Sequence, residues 1–135
     1  MADLTAIETN IVSTLQTVTG LKKTFGNEPK TITQLPAATL FLDGFEQEDN
    51  ATRRKEVTWK WIVRLYVPLQ DAEKAQTDIK TLLVSTLTAF RNNPTLGGTV
   101  LFQNVATGEI FAVTNQNNPL MMAEVSLHAT VKEAY

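Results

Sequence analysis

The amino-acid sequence predicts an α+β fold, in which two helices pack on one face of a mostly antiparallel β-sheet. Two patterns support this prediction. Two stretches repeat apolar residues every three or four positions, as amphipathic helices do, whereas other stretches alternate apolar and polar residues, as half-buried strands do. The 135 residues show neither an internal repeat nor a linker, and this length suits one domain spanning 1–135.

The first helix is predicted to begin after Asp3, whose carboxylate can accept hydrogen bonds from the free amides of the first turn. Gly20 suits the left-handed conformation that ends many helices. The apolar stripe is narrow, so we expect this helix to lie on a sheet or a neighbouring helix rather than to be buried all round. The stripe consists of Leu4, Ile7, Ile11, Leu15 and Val18.

A turn-rich connection from Leu21 to Thr33 separates this helix from the first predicted strand. The strand is the short apolar run Ala37–Leu42, which follows Leu35-Pro36. Its length and its flanking proline and glycine favour a buried strand, and we expect it to end at Asp43-Gly44.

The segment from Phe45 to Glu56 is predicted to form the tip of a long charged hairpin with a strand on each side. An acidic arm facing a basic arm suits head-to-tail contacts, where the positive patch of one subunit meets the negative patch of the next. A salt-bridge ladder within one hairpin would explain the same pattern. The candidate interface residues are Glu46, Glu48, Asp49, Arg53, Arg54 and Lys55.

The return strand, Val57–Val67, shows the clearest alternation in the chain. One face carries Trp59 and Trp61 with four aliphatic side chains, which indicates core packing rather than base stacking. The other face is mixed, as expected where a helix or a neighbour covers it in part. Pro68 ends the strand because it has no amide hydrogen to donate.

The second helix is predicted to begin after Asp71 and to run to about Asn92. Its apolar face is wider than that of the first helix, and Asn92-Asn93-Pro94 closes it before a loop at Leu96-Gly97-Gly98. The apolar face consists of Ala72, Ala75, Ile79, Leu82, Leu83, Leu87 and Phe90.

The last third of the chain is predicted to form strands. Residues 100–106 lead to a turn at Thr107-Gly108-Glu109, and Ile110–Val113 and a polar loop at 114–119 follow. The final strand, Met121–Lys132, alternates cleanly. Charged residues are sparse here, and a surface so poor in charge is easily covered by a partner. The alternative explanation is that threonine, which is frequent in the chain, simply suits strands.

Composition excludes several function classes. The chain has no cysteine and a single histidine, which excludes disulfides, zinc ribbons and multi-histidine metal centres. A net charge of −2 argues against a protein that coats nucleic acid. No stretch approaches the roughly 18 apolar residues that span a bilayer, and we expect no signal peptide at the start. We therefore expect no cofactor, no metal and no membrane.

No residue pattern indicates catalysis, so we expect a protein that is not an enzyme. His128 lies between Ser126 and Thr130 on the polar face of a predicted strand, where a structural role is favoured because no motif activates the serine. A cluster of acidic residues lacks the ligand spacing of a calcium loop, which favours a solvated strand tip. These acidic residues are Asp43, Glu46, Glu48 and Asp49.

The order of elements resembles that of the tail terminator (tail completion) proteins of long-tailed bacteriophages. The resemblance covers nearly the whole chain. It is carried by the helix, the strand after Leu35-Pro36-Ala37, the charged hairpin returning through 57–67, the helix from Asp71-Ala72-Glu73, and the loop Asn93-Pro94-Thr95-Leu96-Gly97-Gly98.

The resemblance implies an α+β subunit that closes into a homo-oligomeric, hexameric ring in the virion, at the head-proximal end of the tail. Such a ring caps the tail tube protein, ends its polymerisation, joins a head-completion or neck protein and lets DNA pass without specific binding. Assembly would take place in the host cytoplasm. Three alternatives stay open: a head-completion or neck connector protein, a small-molecule-binding or regulatory α+β domain with a concave apolar pocket, and an enzyme that uses His128.

Overall fold

The part of the chain that the structure describes forms two helices and one sheet. The computed structural model describes residues 3–21, 23–25, 35–51, 54–69, 71–115 and 118–134. The helices are α1 (Leu4–Gln16) and α2 (Ala72–Arg91). The strands are β1 (Lys23–Phe25), β2 (Ala37–Ala51), β3 (Arg54–Pro68), β4 (Phe102–Asn115) and β5 (Asn118–Ala134). The predicted α+β class is confirmed.

The strands form one sheet in the order β1-β2-β3-β5-β4. The pairs β2–β3, β3–β5 and β5–β4 are antiparallel, and the short β1 runs parallel to β2. The sequence did not predict β1, because its three residues lie inside the segment predicted as a turn-rich connection. Residues 22 and 26–33 of that segment lie outside the described residues.

β3 lies at the centre and is paired along its length with β2 on one side and β5 on the other. Its alternation places Trp61, Val63 and Leu65 on one face of the sheet, which we call the helix face. The register brings Leu40 of β2 and Val125 of β5 to either side of Val63 on that face. All five of these side chains belong to one buried core.

Both helices pack on the helix face, as predicted. α1 contributes Ile7, Ile11 and Leu15 to the core, and α2 contributes Ile79 and Phe90 among others. The predicted N-caps are confirmed, since the side chains of Asp3 and Asp71 accept hydrogen bonds from first-turn amides. Among the described residues, neither helix is both long and apolar enough to cross a membrane.

The opposite face of the sheet, which we call the second face, is mixed, as the sequence predicts. Tyr66, Leu120 and Met122 form a small buried cluster there. Arg64 donates a hydrogen bond from Nε to Glu124 Oε2 at 2.8 Å, and its guanidinium also lies 4.9 Å from the centre of the Phe41 ring. This face therefore combines apolar packing with a half-buried ion pair.

Several predicted strand boundaries are wrong. The polar loop predicted at 114–119 is shorter, because β4 runs to Asn115 and β5 begins at Asn118, and β3 begins at Arg54 rather than at Val57. β2 does not end at Asp43-Gly44 but continues to Ala51, because a bulge between Leu42 and Gly44 absorbs the extra residue. The predicted turn at 107–109 is part of β4, where a second bulge lies between Val105 and Thr107. Gly108 marks a close approach of strands rather than a turn, since a Cβ there would lie 3.2 Å from Val125 Cγ1.

The loop after α2 is held by Asn93. Its Nδ2 donates to Thr14 Oγ1 of α1 at 3.0 Å, and its Oδ1 accepts from the amide of Gly97 at 3.1 Å. Gln103 of β4 completes the junction by donating from Nε2 to the carbonyls of Phe90 and Asn93. One asparagine therefore joins both helices, the loop and β4.

Replacing Asn93 with Ala should destabilise the fold by about 1–3 kcal/mol, because the Thr14 and Gly97 groups lose their partner. Urea unfolding followed by circular dichroism measures this change. Asn92→Ala is the matched control, since Asn92 is exposed and only its backbone amide caps the helix. It should change the free energy of unfolding by no more than about 0.5 kcal/mol. Equal stability of the two variants would contradict this role of Asn93.

Candidate interaction surfaces

The structure describes only part of the predicted charged hairpin. Glu46 and Glu48 are exposed on β2, where the register places them opposite Thr58 and Glu56 of β3. The backbone register also pairs Asp49 with Lys55. Arg53 and the side chains of Asp49, Arg54 and Lys55 lie outside the described residues, so the charged hairpin tip stays a prediction.

Glu46 pairs with a residue that the sequence did not single out. Lys60 Nζ donates to Glu46 Oε1 at 2.7 Å, across the hairpin and on the second face. The hydrogen bond and the positive charge of Lys60 lower the pKa of the Glu46 carboxyl below its ordinary 4.5, and His128 adds a weaker effect in the same direction. This exposed ion pair holds the Glu46 side chain of β2 against Lys60 of β3, but it adds little to the free energy of unfolding.

An apolar patch lies on the helix face of the same hairpin. We call it the Phe45 patch, and it consists of Leu42, Phe45 and Trp59. Phe45 is 60% exposed and Leu42 is 40% exposed. The rings of Phe45 and Trp59 lie 5.4 Å apart at 42°. An exposed phenyl ring supported by a half-buried indole presents a firm apolar contact surface.

A groove lies at the opposite edge of the sheet, between the second half of α2 and β4. Its volume is about 810 Å³. Leu83 and Leu87 of α2 form one wall, Val105 and Ile110 of β4 form the other, and Val125 lies between them. Ile110 is 43% exposed. The groove is thus a half-open apolar surface rather than a sealed cavity.

Five polar residues line the groove beside the apolar ones: Arg91, Gln103, Asn104, Thr107 and Glu109. Gln103 is 8% exposed, and its Oε1 has no hydrogen-bond partner among the described residues, while its Nε2 is occupied by two carbonyls. Arg91 and Glu109 are the charged residues in the lining. The register places Glu109 with Glu124, on the second face. Arg91 is therefore the charged side chain on the helix side of the groove.

β4 is the last strand of the sheet on this side and runs for 14 residues. Among its described side chains, Phe102, Ile110 and Phe111 are exposed and apolar. Glu109 is its only charged residue. A long apolar edge with so little charge is a surface that proteins usually cover.

The sequence contained one signal for the groove that the prediction did not use. The apolar face of α2 is wider than that of α1, and the core buries only part of it. Ile79, Leu82 and Phe90 are buried, whereas Leu83 and Leu87 are half-buried because they face the groove. An apolar face on α2 that is wider than the core can cover therefore indicated an uncovered surface.

His128 lies half-buried on the second face, opposite Lys60 and Asn104 in the register. Ser126 and Thr130 flank it on the same face, as predicted from the alternation, and Thr130 pairs with Thr58 through their hydroxyls at 3.1 Å. No three His, Asp or Glu side chains of the described segments are grouped as metal ligands would be.

Searches against protein-family models and against curated proteins find no match to the chain.

Replacing Lys60 with Met should raise the pKa of Glu46 towards 4.5, because the hydrogen bond and the nearby positive charge are both lost. A carboxyl with a lowered pKa stabilises the fold above its ordinary pKa, and this contribution is lost as the pH falls through the pKa of the folded state. Titration of the Glu46 side-chain carbon by NMR measures the shift. Lys80→Met, an exposed substitution on α2, is the control. An unchanged Glu46 titration in the Lys60 variant would contradict the pairing.

Proposed function

We propose that this chain is a structural subunit of a phage tail, a tail terminator that forms a ring on the tail tube and ends its polymerisation. The observation that carries the proposal is the long, weakly charged edge strand β4 beside an open apolar groove. Such a surface suits repeated contacts between subunits, where binding free energy is spread over many small contacts. The element order, which resembles that of tail terminators, supports the same function.

In this proposal the chain is a virion component at the head-proximal end of the tail. Six copies would form the ring, with the tail tube protein on one side and a head-completion or neck protein on the other. DNA would pass through without specific binding, which agrees with the net charge of −2 because a channel for DNA should not hold phosphates. The ring needs no catalytic residue and no cofactor. A neck connector with the same ring geometry is the alternative of the same class.

The groove also supports a second candidate, a domain that binds a small apolar molecule. Its volume of about 810 Å³ and its single buried, unpartnered Gln103 oxygen suit an apolar ligand with one hydrogen-bond donor. Native mass spectrometry separates the two candidates. A monomer that carries a bound small molecule supports the binding domain, whereas an oligomer without extra mass supports the ring.

Adding the chain to polymerising tail tube protein should shorten the tubes and cap one of their ends, because a ring bound to the growing end blocks the next tube subunit. Tube lengths measured on electron micrographs provide the readout, with heat-unfolded protein as the control. An unchanged length distribution would argue against a terminator. Binding to the head-completion protein, without binding to tubes, would favour the neck connector.

Reversing the charge of Arg53 and Arg54 to Glu should weaken assembly while the monomer stays folded, since the proposal places the charged hairpin tip at a contact with a neighbour or with the tube. The matched control reverses Lys74 and Lys80, two exposed lysines of α2. Sedimentation velocity gives the degree of association and circular dichroism checks the fold. Association equal to that of the control would count against the tip as an interface.

A further inference from the structure

We draw no further inference here: the strongest candidate, the half-open apolar groove between α2 and the edge strand β4, carries nothing further because nothing in the structure shows what covers it.

Discussion

The register of β3 is the constraint on which the rest of the structure depends. This strand pairs with β2 and β5 along its length, and its period of two assigns every side chain to one face. A slip of one residue would turn Trp61, Val63 and Leu65 away from both helices and would bring Arg64 into the core. Because the core would then contain an unpaired charge, a single register is strongly favoured. The positions of the patch and the groove at opposite edges follow from this central strand.

The groove exists because α2 and β4 are joined at one end while the space between them is left unfilled further along. Gln103 and Asn93 tie the end of α2 to the start of β4, which fixes the helix beside the edge strand. Further along, Gly108 has no side chain to fill the space, and Leu83 and Leu87 remain half-buried. An apolar helix face therefore extends beyond the core that it covers. Exposed apolar surface of this kind is typical of a site that contacts another molecule.

The sequence predicted the elements whose patterns are long and regular. These elements are the two helices with their aspartate caps and β3, which alternates apolar and polar residues along its length. The packing of both helices on one face follows from their apolar stripes. All of these are local or nearly local features of the sequence. The turn predicted at 107–109 was wrong because glycine in a strand and glycine in a turn look alike without knowledge of the neighbouring Val125. The groove and the Phe45 patch were not predicted, since both depend on which apolar side chains the tertiary structure leaves uncovered.

We propose that this chain acts by binding copies of itself at the end of a tube. Electron microscopy of tubes polymerised with the chain, followed by averaging of their ends, tests it most directly. We expect a ring with a central channel on one end of each tube, with the α2–β4 edge of every subunit against its neighbour. Bare tube ends, or single copies bound without contacts between them, would contradict it.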